Sequence, residues 1–137
     1  LGSYQAWVRS FDAAGETRGW TTAYHFAIIA PIAPTVSSPT GASTNNLPTF
    51  SWYASTGAVT YELYVGNSAD GALALRVANF AGTSYAATTA LPAGSYTAWL
   101  RAMNNSGEQG AWSVGTNFTI LPPAIPAITG PLGAQNT

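Results

Sequence analysis

The sequence has no cysteine and no lysine, and only 7% of its 137 residues are charged. Without cysteine, disulfide bonds, zinc–thiolate sites and thiol catalysis are excluded, so burial of a core must stabilise the fold. The only cations are four scattered arginines, and the net charge is -1. Because a nucleic-acid-binding surface needs a basic stripe to neutralise phosphates, we expect no nucleic-acid partner.

Long apolar runs and catalytic side chains are also scarce. The longest nearly apolar stretch, 26–36, is interrupted by two prolines. It is shorter than the roughly 20 residues that span a bilayer, so no membrane insertion is predicted. His25 is the single histidine, and the five carboxylates do not pair at the spacing of a metal site or a glycosidase. We therefore expect no enzyme activity, no metal and no cofactor.

The residues that are abundant are apolar and aromatic. Hydrophobic residues make up 47% of the chain and aromatic residues 12%. Disordered chains combine low hydropathy with high charge, so this composition predicts a folded domain.

The chain repeats itself with a period of 92 residues. Displaced by 92 positions, Gly2-Ser3-Tyr4 lies over Gly94-Ser95-Tyr96, and 16 of the 45 overlapping positions are identical. The match includes two tryptophan pairs and continues into the prolines. A repeat of this length predicts tandem units of one fold.

Proline clusters near 31–34 and 122–126 mark the junctions between these units. The positions of these junctions predict one complete unit at 33–121. Residues 1–32 are then the last two strands of a preceding unit, and 122–137 are the first strand of a following one. Since the opening residues have the pattern of a strand interior, we expect the sequence to be a piece of a longer chain.

Nearly every segment of the complete unit has the pattern of a β-strand, and none sustains a helical period. Short runs of β-branched and aromatic residues alternate with turn sequences rich in Gly, Asn, Ser and Pro. Six of the predicted strands are 49–52, 61–65, 72–77, 84–88, 96–103 and 116–120. With the first strand of the unit they make seven, which predicts an all-β sandwich of two sheets.

The order of these motifs resembles a fibronectin type III repeat. The resemblance rests on Phe50-Ser51-Trp52, on Tyr61-Glu62-Leu63-Tyr64-Val65 and on the Leu-Pro-x-Gly-x-Tyr segment at 91–96. It implies that Trp52 lies at the centre of the core. It also implies that Tyr96 forms a tyrosine corner at the start of the sixth strand.

Alternation along the strands assigns side chains to two faces. The predicted core residues are Phe50, Trp52, Tyr61, Leu63, Tyr96, Leu100 and Phe118. The opposite face carries a predicted outer stripe of Glu62, Tyr64, Trp99, Arg101 and Trp112. Trp7, Arg9 and Trp20 repeat three members of the stripe 92 residues earlier.

Three interpretations of the outer stripe remain open. An arginine stacked between two tryptophans would brace neighbouring strands through cation–π attraction, with Trp99 and Trp112 flanking Arg101, and Trp7 and Trp20 flanking Arg9. The stripe would otherwise form an interface with a protein, or a platform for a glycan.

We expect a structural repeat of a long extracellular or cell-surface protein: an adhesin stalk, a spacer or a filament component. Its partners would be neighbouring repeats of the same polypeptide or identical chains in a fibre. The lack of cysteine and the abundance of Thr, Ala, Gly and Asn favour a bacterial source. The alternative is a glycan-binding or accessory module of a secreted polysaccharide-active enzyme.

Overall fold

The computed structural model describes residues 1–130 and 133, and within that part of the chain every regular element is a strand. The ten strands are β1 (Gly2–Ala6), β2 (Tyr24–Ile28), β3 (Thr35–Ser38), β4 (Gly41–Ser43), β5 (Thr49–Tyr53), β6 (Thr60–Asn67), β7 (Leu73–Phe80), β8 (Ser84–Ala86), β9 (Gly94–Met103) and β10 (Thr116–Ile120). No helix in this part of the chain is long and apolar enough to cross a membrane.

Strands β3 to β10 form two sheets that enclose one core. One sheet has the order β3-β5-β8, and the other has the order β4-β10-β9-β6-β7. All neighbouring strands are antiparallel except β4 and β10, which are parallel. The seven residues predicted for the core are all buried: Phe50, Trp52, Tyr61, Leu63, Tyr96, Leu100 and Phe118.

The sandwich has eight strands, β3 to β10, whereas seven were predicted. The first predicted strand is divided at Pro39 into β3 and β4, which belong to different sheets. Proline has no N–H to donate to a neighbouring strand, so a strand commonly ends or changes sheet there. β3 pairs with β5, and β4 then pairs with β10 across the sandwich.

Five of the six other predicted strands also differ in length from the prediction; β8 is shorter and the rest, including β7, are longer. β8 has only three residues, because the small side chains of the Ala-Ala-Thr-Thr-Ala run at 86–90 offer little to pack on a sheet. β7 extends to Phe80, whose ring packs 5.5 Å from that of Trp52. The longer β7 therefore contributes to the core beyond the predicted end at 77.

Tyr96 forms the tyrosine corner that the resemblance implied. Its hydroxyl donates a hydrogen bond of 2.8 Å to the carbonyl of Pro92. The Tyr96 ring stacks on Phe118 with a centroid distance of 5.5 Å. This bond satisfies the buried phenol and fixes the start of β9.

Residues 1–32 form a separate hairpin that reproduces the β9–β10 pair. Tyr4 lies opposite Phe26 and Tyr96 opposite Phe118, and every other β1–β2 pair is likewise offset by 92 from a β9–β10 pair. The Tyr4 and Phe26 rings stack at 5.5 Å, as the second pair does.

The connecting loops also correspond between the two hairpins. The Asp12 side chain accepts hydrogen bonds from the N–H groups of residues 14 and 16, and the Asn104 side chain accepts them from residues 106 and 108. Two different residue types thus cap equivalent turns, because both present an oxygen at the same place.

The 31–34 segment is held against the sandwich. Pro31 is buried, and its carbonyl oxygen would clash with a Cβ added to Gly110. The hydroxyl of Ser55 donates a hydrogen bond to the carbonyl of Ile32. The absence of a side chain at residue 110 therefore allows this segment to approach the 104–112 loop.

Residues 122–130 follow β10 without forming a strand, and all are exposed. The sequence predicts the first strand of another unit over 122–137, and 131, 132 and 134–137 lie outside the described residues. In the sandwich of β3 to β10, the first strand, β3, pairs with β5.

Candidate functional site

An open groove of about 620 Å³ lies on the outer face of the five-stranded sheet. We call it the aromatic groove and define it by its lining residues. They are Tyr64 on β6, Arg76 on β7, Trp99 and Arg101 on β9, and Trp112 and Ser113 before β10. Four of the five predicted stripe residues therefore line one depression, and the fifth lies beneath it.

Glu62 is that fifth residue, and its burial was not predicted. It lies on the outer face as the alternation requires, but only 2% of its surface is exposed. Arg76 and Arg101 cover it from the two neighbouring strands. The Nε atom of Arg76 donates to Oε1 at 2.8 Å, and that of Arg101 donates to Oε2 at 2.7 Å.

Each arginine also places a terminal nitrogen 2.6 Å from the oxygen that its own Nε contacts, so Arg76 binds Oε1 and Arg101 binds Oε2. Burial by itself would raise the pKa of Glu62. Hydrogen bonds and positive charge from Arg101 and Arg76 together outweigh burial and hold that pKa below its ordinary value of 4.5. Glu62 is therefore an ionised, buried anchor that fixes two guanidinium groups.

Arg101 stacks on one tryptophan and not between two. Its guanidinium carbon lies 4.6 Å from the centre of the Trp112 ring. The predicted second contact, with Trp99, is absent from the cation–π pairs of the described residues. The reason is the pull of Glu62, which lies directly opposite Arg101 in the β6–β9 register and draws the guanidinium towards β6.

Trp99 packs instead on Tyr64 and on two glycines. The Tyr64 and Trp99 ring centres are 5.9 Å apart, and Tyr64 also meets Trp112 edge-on at 6.4 Å. A Cβ on Gly115 would lie 2.9 Å from the indole nitrogen of Trp99, and one on Gly66 would lie 3.5 Å from its ring. Tyr64 is thus the central ring, in contact with both tryptophans.

The hairpin carries a reduced version of the same site. Arg9 lies 4.8 Å from the Trp20 ring and 4.9 Å from the Phe11 ring. The prediction paired Arg9 with Trp7 and Trp20, so Phe11 takes the place expected for Trp7. Trp7, Trp20 and Thr21 line a smaller groove of about 480 Å³.

Sequence reasoning missed Arg76 and Ser113. Arg76 was not recognised because its contact depends on the register of β7 against β6, where it lies opposite Tyr64. The Ser113 hydroxyl accepts a hydrogen bond of 3.0 Å from the Leu100 N–H and ties the Trp112 segment to β9. A signal for Ser113 was present: Thr21 lies 92 residues earlier and accepts the equivalent bond from Val8.

The described part of the chain contains no cluster of side chains that could hold a metal ion. Residues 1–130 and 133 bring no three His, Asp or Glu side chains together. His25, on β2, is exposed. The groove therefore offers a ligand mainly aromatic ring faces and guanidinium hydrogen-bond donors.

Comparison with known proteins gives a match in fold only. No family model matches the chain, and no curated protein matches its sequence. A structure titled FN3tt is 22% identical, covers 69% of this chain and 98% of its own, and has a TM-score of 0.52. An Fn3-like protein from Clostridium thermocellum is 18% identical, with coverages of 72% and 97% and a TM-score of 0.50.

A third similar structure contains the FN1–FN3 domains of chicken CNTN1. It is 18% identical, covers 87% of this chain and 44% of its own, and has a TM-score of 0.51. The fold of residues 33–121 is therefore a fibronectin type III-like sandwich, in agreement with the resemblance drawn from the sequence.

Proposed function

We propose that this chain is a structural segment of a tandem array of fibronectin type III-like units in an extracellular or cell-surface protein of a bacterium. The units would act as a spacer or stalk. One observation carries the proposal: the 1–32 hairpin has the register of a sandwich edge, but no sheet formed by the described residues faces it.

The exposed fractions of equivalent side chains measure this difference. Tyr4, Phe26 and Ile28 are 42%, 43% and 41% exposed. Their counterparts 92 residues later are Tyr96, Phe118 and Ile120, at 2%, 3% and 2%. An isolated hairpin is marginal in water, and its stacked rings need an apolar surface to cover them.

The complete unit indicates what that surface is. Phe50 on β5 meets Phe118 edge-on at a ring distance of 5.7 Å, so the three-stranded sheet covers the β9–β10 pair. The hairpin requires an equivalent sheet. Upstream residues of the same polypeptide are the simplest source, because the preceding unit of an array would contain those strands.

The junction at Pro31 suits a semi-rigid stalk. The linker is short, contains two prolines and is held by its contacts with Gly110 and Ser55. Proline-bearing linkers restrict the relative motion of neighbouring units. A fixed junction would keep neighbouring units extended along the array, and this role requires no binding or catalytic site.

Fragments of the chain test the division into units. We expect residues 33–121 to fold as a monomer with a single cooperative urea transition, since they contain both sheets and the whole core. We expect residues 1–32 alone to lack a stable fold. Circular dichroism and analytical ultracentrifugation measure both outcomes.

The same fragments can contradict the proposal. A monomeric 1–32 peptide with a cooperative thermal transition would show that the hairpin needs no partner sheet. Failure of 33–121 to fold, while the full chain folds, would show that the predicted boundary is wrong.

A further inference from the structure

We propose that the aromatic groove binds an acidic polysaccharide through the carboxylates of its uronic acid residues. The proposal goes beyond the structural role and rests on the groove of the complete unit alone. Three features carry it: an excess of positive charge, guanidinium donors that Glu62 does not engage, and aromatic rings fixed in place.

The first feature is charge. Two guanidinium groups, from Arg76 and Arg101, share the single carboxylate of Glu62. The cluster therefore keeps one net positive charge, although the whole chain has a net charge of -1. No other charged residue lines the groove among the described residues. An anionic ligand would complete the charge balance at the mouth of the groove.

The second feature is the set of donors left over. A guanidinium has five N–H groups in a fixed plane. Each arginine uses its Nε and one terminal nitrogen on Glu62, so its second terminal nitrogen is not engaged by that carboxylate. The Arg76 side chain is 56% exposed, which makes its donors accessible from solvent. A planar ligand carboxylate matches such donors in both charge and shape.

The third feature is the aromatic lining, and it favours a sugar over an acidic peptide. Sugar rings present flat C–H faces, which are attracted to the electron-rich faces of indole and phenol rings. Arg101 covers part of Trp112, yet 38% of that residue remains exposed. Tyr64 and Trp99 are fixed by mutual packing, so little conformational entropy is lost when a ligand binds.

The test titrates the intact 137-residue chain with defined polymers. The uronate probes are polygalacturonate, alginate and hyaluronan. Fully methyl-esterified polygalacturonate keeps the sugar rings and removes the charge, and poly-L-glutamate keeps the carboxylates and removes the sugar. Binding is measured by calorimetry, and the five indole N–H signals are followed by NMR.

We expect at least one uronate polymer to bind and to shift the indole signals of Trp99 and Trp112. The methyl ester and poly-L-glutamate should bind about 10-fold more weakly or not at all, since each lacks one half of the recognised chemistry. Failure of all three uronate polymers to bind would overturn the proposal. Equal binding of the methyl ester or of poly-L-glutamate would also overturn it.

Variants locate the site. Arg76→Gln and Trp112→Ala should each weaken binding by about 10-fold or more, and Arg76→Lys, which keeps the charge but loses the planar donors, should have an intermediate effect. Arg18→Gln and Tyr53→Ala remove an exposed arginine and an exposed aromatic ring outside the groove, and they should change binding by less than about 2-fold. Urea midpoints confirm that each variant is folded. Undiminished binding by folded Arg76→Gln and Trp112→Ala would place the ligand elsewhere and contradict the proposal.

Discussion

Replacing Trp52 with alanine is expected to lower the free energy of unfolding by about 3 to 5 kcal/mol, the range for large aromatic residues in protein cores. Trp52 is 4% exposed, and its ring packs 5.3 Å from Tyr61 and 5.5 Å from Phe80. These two contacts join the facing sheets. Removal of the indole therefore leaves a cavity where β5 meets β6 and β7.

Replacing Trp52 with phenylalanine separates the cost of a cavity from the effect of removing the polar indole N–H. The Trp52 indole nitrogen is buried and has no hydrogen-bond partner among the described residues. Trp52→Phe removes that unsatisfied N–H while keeping most of the ring, so it should cost clearly less than Trp52→Ala.

Urea unfolding of the full chain measures both variants. Tyr53 is the neighbouring residue and is 69% exposed, so Tyr53→Ala should change the unfolding free energy by no more than about 0.5 kcal/mol. A loss below about 1 kcal/mol for Trp52→Ala would contradict the central position of Trp52 in the core.

Glu62→Gln should be the second large effect, with a loss of about 3 kcal/mol near neutral pH. The substitution removes the charge that Arg76 and Arg101 share and leaves two guanidinium groups without their counterion. Arg76→Gln should cost less, because the Arg76 side chain is 56% exposed and water can take the place of its guanidinium beside Glu62, which keeps Arg101 as a partner.

The pH dependence of stability gives the sign of the Glu62 contribution. The folded state lowers the pKa of Glu62 from 4.5, so between the folded and unfolded pKa values the unfolded chain binds more protons. The stabilisation is fully present above pH 4.5 and is lost as the pH falls through the folded pKa. The difference between wild type and Glu62→Gln should therefore be constant from about pH 7 to pH 5 and shrink in more acidic solution.

Urea midpoints measured at several pH values test this dependence. Glu16→Gln changes an exposed carboxylate and should leave the wild-type profile nearly unchanged. A wild-type advantage over Glu62→Gln that grows on acidification would contradict the buried carboxylate and its two arginines.

Alternation alone was enough to assign the faces of β9 and much of β6. Tyr96 and Leu100 are buried, while Trp99 and Arg101 are only partly buried on the opposite face. Glu62 was assigned to the correct face, but its burial was not predicted. Its burial depends on the reach of Arg76 from β7, and the register of β7 includes irregularities that a strand pattern does not encode.

The eighth strand, β4, could not be predicted from the sequence for a related reason. β4 is the tripeptide Gly41–Ser43, which has neither alternation nor β-branched residues. It forms a strand because the chain after Pro39 lies beside β10, and that neighbour is a tertiary contact. The 92-residue repeat in the sequence was more informative than the strand pattern here, because it predicted the 1–32 hairpin. The register of β1 against β2 matches that of β9 against β10 pair by pair.

We propose that the 1–32 hairpin belongs to a sandwich whose other strands precede it. Because Gly2 aligns with Gly94, residues 33–93 placed directly before Gly2 would supply those strands in the correct phase. A matched control carries Phe50→Asp and Trp52→Asp in the added segment only, so that the new core cannot form.

Hydrogen exchange of the β1 and β2 amides, read by mass spectrometry, compares the 137-residue chain, the extended chain and its control. We expect exchange to slow by about 100-fold or more in the extended chain alone, as the hairpin joins a cooperative core, and we expect that chain to sediment as a monomer. Exchange as fast in the extended chain as in the 137-residue chain would contradict the array. Protection that appears only on self-association would contradict completion within one polypeptide and would indicate a fibre of neighbouring chains.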